Sequence, residues 1–238
     1  MGEHHKWSEE KTVLESLQEQ ADASYRDFQC RLIPTVAPET VLGVRVPEVR
    51  KLAAQLHNTE QAAAFMQQLP HRYYDENNLH ACLIEKIPSY EACVQALDQF
   101  LPFVDNWATC DIMHPRVFRK HPEKLPAQAL RWMKSDHPYT VRFGIGVLLS
   151  EYLEDFFDPV MPEWVAAVRS QEYYVNMMAA WYFATALCKQ PETIWPYIKG
   201  QKLDEWVRQK AIQKAIESRR ISKEEKEVLR ALRREKEK

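Results

Sequence analysis

Glycine is scarce in this sequence, and that scarcity limits the folds the chain can adopt. The 238 residues contain five glycines, whereas ordinary usage would give roughly seventeen. Tight β-hairpins and phosphate-binding loops depend on glycine, because glycine adopts a positive φ without a steric penalty. The composition therefore disfavours β-rich folds and nucleotide sites built on glycine-rich loops.

Apolar residues recur at the spacing of an α-helix along the whole chain, and no stretch shows the sustained alternation of a strand. Prolines mark the expected helix starts, because their missing N–H costs nothing in a first turn. These prolines are Pro47, Pro122, Pro138, Pro159 and Pro191. The pattern predicts helices at 8–20, 21–33, 47–57, 59–69, 75–87, 89–101, 106–113, 122–134, 138–152, 159–169, 172–188, 191–198, 204–218 and 222–236.

The predicted fold class is all-α. Consecutive helices should pair, and the pairs recur roughly every 30–40 residues, a period typical of an α-α superhelix of HEAT-like repeats. A compact irregular helical bundle is the alternative. We expect one domain over residues 1–238, with a terminal helix at about 222–236 as its cap, because Ser222 and Glu225 have the spacing of a capping box.

Charge is unevenly distributed along the chain. The net charge is −2, but residues 199–238 carry +6 and residues 1–198 carry −8. A second basic segment near residues 114–134 includes Arg116, Arg119 and Lys120. Two basic zones on an acidic body suit contact with a phosphate backbone. Solvated helix faces are the alternative interpretation.

Cofactors and membrane anchoring are not expected. The five cysteines form no Cys-x-x-Cys motif, the eight histidines show no metal-ligand spacing, and no glycine-rich loop exists to hold a nucleotide. No apolar run approaches the roughly 20 residues of a membrane span, and residues 1–19 are charged rather than signal-like. We expect a cytoplasmic protein with reduced thiols and without metal or nucleotide cofactors.

Trp107 and Asp111 are the first candidate for chemistry. They are four residues apart, which on a helix places an indole and a carboxylate on one face. An aromatic ring beside an anion suits a cationic ligand, such as a base alkylated on a ring nitrogen. The carboxylate could also stabilise the oxocarbenium character that a sugar gains as its glycosidic bond breaks. The alternative is a core tryptophan and an ordinary helical carboxylate paired with Arg or Lys.

Trp181 and Arg142 form a second candidate. Trp181 follows the small residues Ala179 and Ala180, which permit close helix packing, and from sequence alone it is typical of a core position. Arg142 stands among apolar residues, where a guanidinium needs an anionic partner. That partner is either a phosphate or a neighbouring carboxylate.

Several segments, taken in their order and spacing, resemble the AlkD-like DNA alkylation repair family. This is a set of HEAT-repeat proteins whose characterised members include DNA glycosylases. The matching segments lie within roughly residues 20–235, and they are 25–28, 43–52, 107–111, 141–145, 173–181 and 213–218.

The resemblance implies a C-shaped stack of repeats that holds duplex DNA in a basic concavity. It also implies removal of cationic 3-methyl or 7-methyl purines without drawing the base into a pocket. Asp111 matches the catalytic carboxylate of the family, and Trp107 and Trp181 match aromatic residues that contact the deoxyribose. The expected DNA contacts are Tyr25, Arg50, Thr109 and Arg142, joined by the basic residues Arg116, Arg119 and Lys120. We expect the chain to act as a monomer.

Two other functions stay open. The chain has Asn106 and Ala108 beside Trp107, and Tyr182 and Phe183 after Trp181, where the family has other residues. A catalytically inactive HEAT-repeat protein that binds distorted or branched DNA is one alternative. A helical scaffold for a protein partner is the other.

Overall fold

The computed structural model describes residues 11–234, and this part of the chain is all-α, as predicted. It contains fourteen α-helices and three 3-10 helices. No β-strand forms in the described residues, where one isolated bridge pairs Ala21 with Val44. Within the same range, no helix has the length and hydrophobicity that a membrane crossing requires.

Every predicted helix has a counterpart in the structure. The α-helices are α1 (Val13–Gln18), α2 (Ala23–Leu32), α3 (Val46–Leu56), α4 (Glu60–Gln67), α5 (Tyr74–Ile84), α6 (Tyr90–Phe100), α7 (Trp107–Asp111), α8 (Leu125–Met133), α9 (Pro138–Glu151), α10 (Val160–Ala167), α11 (Tyr173–Lys189), α12 (Pro191–Lys199), α13 (Glu205–Glu217) and α14 (Lys223–Arg234). The 3-10 helices cover Pro38–Thr40, Leu101–Phe103 and Arg116–Lys120. These short elements were not predicted, because three to five residues are too few to show a period.

Side-chain caps set the ends of the first and last helices. Thr12 and Glu15 form a capping box that starts α1 at Val13, later than the predicted start at residue 8. Ser222 and Glu225 form the predicted capping box before α14, with distances of 3.1 Å from Glu225 N to Ser222 Oγ and 3.0 Å from Ser222 N to Glu225 Oε2. Predicted helical residues 8–10 and 235–236 lie outside the described residues.

Most of the marker prolines stand where predicted. Pro47, Pro138 and Pro191 lie in the first turns of α3, α9 and α12, and Pro159 is the residue directly before α10. The prediction for Pro122 was wrong, because α8 begins at Leu125 and another proline occupies its first turn.

The chain divides into two compact units, residues 1–121 (unit 1) and 122–238 (unit 2). In unit 1, α3 packs against α5. The buried cluster around them includes Leu17, Val49, Leu56, Phe65 and Leu79. The single domain, the HEAT-like repeats and the C-shaped stack remain predictions.

A buried ring stack also stabilises unit 1. The rings of Phe65 and His71 stack at a centroid distance of 4.3 Å, and those of His80 and Phe100 stack at 4.2 Å. A hydrogen bond of 2.8 Å joins His71 Nε2 to His80 Nδ1. Burial lowers the pKa of His71 to about 4, and burial together with the proximity of His71 lowers the pKa of His80 to about 3. Both rings are therefore neutral at neutral pH.

In unit 2, α9 packs against α8 and α11, and α11 packs against α13. Gly144 permits the close approach of α8 and α9, since a Cβ atom there would lie 2.8 Å from the carbonyl oxygen of Ala129. Ala180 is fully buried on α11, as its small size suggests. Tyr182 and Phe183 are also fully buried, so both rings belong to the core of unit 2.

The five cysteines are free thiols. Cys82, Cys93 and Cys110 are buried, while Cys30 and Cys188 are partly exposed. Burial raises the pKa of Cys82 and of Cys93 to about 12. Among the described residues, no group of three His, Cys, Asp or Glu side chains is placed to hold a metal ion.

Candidate functional site

Helix α7 carries the candidate catalytic residues of unit 1, and it is only five residues long. A helix this short is not stable alone, so tertiary contacts must hold it. The N-cap side chain of Asn106 accepts from Thr109 N at 2.8 Å and donates to Thr109 Oγ1 at 3.0 Å. Thr109 Oγ1 then donates to Asn78 Oδ1 on α5 at 2.8 Å. These three side chains are buried, and they attach α7 firmly to α5.

Trp107 and Asp111 are the first and last residues of α7, so the predicted spacing of one helical turn is present. Trp107 is partly buried, and its indole Nε1 donates to the carbonyl oxygen of Leu32 at 2.9 Å. Its ring packs against a buried cluster that includes Val36 and Tyr74. Asp111 is partly exposed at the helix end. Trp107 thus anchors α7, while Asp111 retains an accessible surface.

Arg50 fixes the residues that follow Asp111. Its guanidinium forms an ion pair with Glu85, whose side chain is only 10% exposed, and its Nη2 donates to Ile112 O at 3.1 Å. Glu85 Oε1 also accepts from His114 N at 2.8 Å. The family resemblance implies that Arg50 contacts DNA, and that contact remains a prediction. The geometry adds a role in holding the C-terminal end of α7.

Tyr25 lies on a partly exposed face of α2. The Arg45 guanidinium is 4.7 Å from the centroid of its ring, and Arg45 also pairs with Asp22 at 2.8 Å. Phe28, one turn further along, is 49% exposed. An aromatic surface beside a cation suits a sugar-phosphate chain, so this face is compatible with the predicted contact of Tyr25.

The segment before α3 depends on two residues that sequence reasoning did not single out for any role. Gly43 has φ +89°, and a Cβ there would lie 2.5 Å from Asp22 O, so only glycine fits without strain. Asp75 is fully buried and accepts from the backbone N–H groups of Leu42 and Val44, each at 2.7 Å. This carboxylate holds the turn that supports Arg45.

The predicted basic residues Arg116, Arg119 and Lys120 are exposed on the 3-10 helix of unit 1. Val117 and Phe118 are buried beneath them, which directs the three cationic side chains outward. Their contact with DNA remains a prediction that this exposure permits.

Arg142 is 1% exposed on α9 of unit 2. Its Nη1 donates to Tyr174 O at 2.6 Å, and its Cζ lies 5.4 Å from the centroid of the Trp181 ring. The guanidinium therefore links α9 to two positions on α11. Arg142 and the equally buried Thr109 were expected to touch DNA. Those contacts remain predictions, and they would require both side chains to be uncovered.

Trp181 borders a cavity of about 250 Å³ in unit 2. It is partly exposed, in contrast to its buried neighbours Ala180 and Tyr182. Lys214 and Arg220, near the end of α13, also line this cavity. Sequence reasoning did not name these two cations individually, although they belong to the basic zone after residue 199.

Comparison with known proteins identifies the family. Residues 12–215 match the family model described as DNA alkylation repair enzyme. No curated protein matches the chain. Because the match covers most of the sequence, the chain belongs to the DNA alkylation repair enzyme family, as the resemblance indicated. Its general role is the repair of alkylated DNA.

Proposed function

We propose that this protein hydrolyses the N-glycosidic bond of cationic alkylated purines, such as 3-methyl or 7-methyl purines, in duplex DNA. The observation that supports this most directly is the placement of Asp111. Asp111 is a partly exposed residue at the end of a helix that buried hydrogen bonds attach to α5. The family match supplies alkylated DNA as the substrate class.

The reaction needs a fixed negative charge near the sugar. The bond from C1′ to the base nitrogen breaks with its electron pair going to the base, so the cationic base leaves as a neutral molecule. The sugar gains oxocarbenium character, which the Asp111 carboxylate stabilises. A water oxygen then bonds to C1′ and its proton passes to solvent. Asp111 also orients this water.

The contacts around α7 support a preorganised carboxylate. Asn106 and Thr109 fix the start of the helix, and Arg50 fixes the residue after Asp111 through the Ile112 carbonyl. Because α7 is fixed at both ends, the Asp111 carboxylate needs little reorganisation during the reaction. Such preorganisation is the main requirement for electrostatic catalysis.

Unit 2 contributes to DNA binding in this proposal. Trp181 packs against a deoxyribose, and the basic residues of the chain contact phosphates in a salt-dependent way. The protein acts as a monomer in the cytoplasm, and it uses no metal or nucleotide cofactor.

The test is base release from duplex DNA containing 7-methylguanine or 3-methyladenine. Asp111→Asn keeps the shape of the side chain and removes its charge, so excision should fall by about 100-fold or more. Asp105→Asn is the matched control, because this exposed carboxylate precedes α7 and accepts a hydrogen bond from Asn106 that an amide oxygen can still accept. Equal base release by wild type and Asp111→Asn, or none by either, would end the catalytic proposal.

A second function, DNA binding without excision, is favoured by the contacts of Trp107. Its indole N–H is bonded to the Leu32 carbonyl and its ring packs on a buried cluster, which suits an anchor. This function predicts that duplex DNA binds with steep salt dependence and that Asp111→Asn changes neither binding nor base release. A protein scaffold would show no shift of duplex DNA in a gel at about 50 mM salt.

A further inference from the structure

Helix α2 lies on the surface of unit 1 and buries little of itself. Within Ala23–Leu32 the buried residue is Gln29, whereas the apolar side chains of Phe28 and Leu32 are exposed. Surface helices usually stay in place by burying an apolar stripe. Because α2 buries an amide instead, hydrogen bonds must contribute much of what fixes its orientation.

The buried amide of Gln29 is bonded to a phenol. Its Nε2 donates to Tyr74 Oη at 3.0 Å, across 45 positions of sequence, and both side chains are buried. Burial raises the pKa of Tyr74 to about 12, so the hydroxyl is neutral at neutral pH and accepts this bond. A buried amide that loses its partner is costly, and the bond therefore holds α2 to the start of α5.

Tyr74 is also part of the packing beneath α7. Its ring lies in a buried cluster that includes Ala108 of α7, and Trp107 packs against the same cluster. Tyr74 therefore joins the two helices, since its hydroxyl is bonded to α2 and its ring shares a cluster with the first turn of α7.

Two further hydrogen bonds join the end of α2 to the start of α7. Trp107 Nε1 donates to Leu32 O at 2.9 Å, and Thr35 Oγ1 donates to Asp105 O at 3.1 Å. Together with the buried amide–phenol bond, they leave the two helices little freedom to move separately. Helix α7 is about one turn long, so a shift at Trp107 is carried directly to Asp111 at its other end.

We propose that Gln29 and Tyr74 are positioning residues for Asp111. Their hydrogen bond fixes α2 against α5, and α2 in turn fixes the first turn of α7 and the direction of the carboxylate. The inference rests on the proposed function, because it gives Asp111 the catalytic role. Misplacement of a catalytic group by about 1 Å slows a reaction by up to about 100-fold, so partial loss of this support should slow excision without weakening DNA binding.

Two substitutions that keep the size of the side chain remove the bond from either side. Gln29→Met removes the amide donor, and Tyr74→Phe removes the hydroxyl but keeps the ring. In either variant, single-turnover excision of 7-methylguanine should slow by about fivefold or more, while the dissociation constant for undamaged duplex stays within about twofold of wild type. Tyr73→Phe, which alters the adjacent and partly exposed phenol, should excise at the wild-type rate. Wild-type excision in both Gln29→Met and Tyr74→Phe would overturn the inference, and so would an equal loss in Tyr73→Phe.

The double variant Gln29→Met/Tyr74→Phe separates positioning from stability. Each single variant leaves a buried polar group without its partner, whereas the double variant removes both groups, a replacement that costs little stability. The urea midpoint of the double variant should therefore recover toward the wild-type value, while excision stays slow because no directional bond has returned. Recovery of excision together with stability would show that the bond is only structural, and the inference would be wrong.

Hydrogen exchange of α7 gives a readout that does not depend on activity. In the wild type, Cys110 N donates to Asn106 O and Ile112 N donates to Ala108 O, each at 3.3 Å. These two amides should exchange several-fold faster in Gln29→Met and in the double variant, while the amides of α3 keep their wild-type rates. Unchanged exchange of the α7 amides would contradict the inference.

Excision and exchange together distinguish this inference from the proposed function. If the wild type releases no alkylated base while α7 exchanges faster in the variants, the proposed function fails and the support of α7 by α2 stands. If excision depends on Asp111 but on neither Gln29 nor Tyr74, the inference fails and the proposed function stands.

Discussion

Helices α7 and α11 carry the candidate residues of the two units, and they are stabilised in opposite ways. Helix α7 has five residues and is attached by buried amide and hydroxyl groups. Helix α11 has seventeen residues and is held by apolar packing around the buried guanidinium of Arg142. Directional hydrogen bonds suit the orientation of a carboxylate, whereas packing suits the support of an aromatic ring beside a cavity. Unit 1 therefore holds a carboxylate in a fixed orientation, whereas unit 2 holds an aromatic surface that a ligand can contact.

The strongest test of this comparison is Arg142→Ala. The change leaves the Tyr174 carbonyl without its donor and creates a cavity beneath Trp181, so unit 2 should lose about 3 kcal/mol of unfolding free energy. Urea unfolding monitored by segment-resolved hydrogen exchange measures the loss and assigns it to unit 2. The exposed control Arg219→Ala should stay within about 0.5 kcal/mol of wild type. A loss below about 1 kcal/mol in Arg142→Ala would mean that apolar packing alone holds α11.

Acid should weaken unit 1 more than unit 2. His71 and His80 have folded pKa values of about 4 and about 3, below the ordinary 6.5, so the unfolded chain binds more protons at acidic pH. The contribution of the two neutral histidines to the free energy of unfolding is fully present above pH 6.5 and falls as the pH drops toward 4. For His80 alone the slope reaches about 1.4 kcal/mol per pH unit.

Urea unfolding at a series of pH values measures this slope. His71→Phe/His80→Phe keeps the ring stack and removes both titrating groups, so its stability should vary less with pH. His57→Gln, at an exposed position, should retain the wild-type slope. The same pH dependence in the double variant would show that other groups cause the acid sensitivity.

Thr109→Val tests the polar attachment of α7. The substitution keeps the shape but removes the donor to Asn78 and the acceptor for Asn106, so unit 1 should lose about 1–3 kcal/mol. Thr185→Val on α11, at a partly exposed position, should cost less than about 0.5 kcal/mol. Chemical denaturation compares the two. Similar losses of unfolding free energy in Thr109→Val and Thr185→Val would show that the hydrogen bonds of Thr109 do not set α7 apart from α11.

Arg50→Ala should have a modest effect on stability and a selective effect on activity. The side chain of its partner Glu85 is 10% exposed and keeps the hydrogen bond from His114 N, so loss of the ion pair should cost about 1–3 kcal/mol. Release of the Ile112 carbonyl also frees the end of α7. Single-turnover excision should slow by roughly tenfold through misplacement of Asp111, with little change in DNA affinity. Lys51→Ala, the exposed neighbour that pairs with Glu48, is the control. Weaker DNA binding with unchanged turnover in Arg50→Ala would instead support the DNA contact expected from sequence.

The helices could be predicted from sequence because each one carries its own period and end signals. The box of Ser222 and Glu225 and the first-turn Pro138 are local features, and both stand where expected. Pro122 misled the prediction because a proline three residues before a helix looks like one in its first turn. The spacing of Trp107 and Asp111 was equally local, and α7 preserves it.

The surroundings of the candidate residues could not be predicted in the same way. The bond from Arg50 to Ile112 joins residues that are 62 positions apart, and that from Leu42 to Asp75 joins residues 33 apart. A periodic sequence pattern cannot predict such distant pairs, because they depend on how the helices pack against one another. The burial of Thr109 and Arg142 is a consequence of the same packing.

The buried thiols have a consequence for the survival of the protein itself. A protein of alkylation repair is exposed to the electrophiles that damage DNA, and thiolates are among their most reactive targets. Cys82 and Cys93 are buried, and burial raises the pKa of both thiols, so both stay protonated at pH 7. They should therefore react slowly with the reagents whose products the protein repairs.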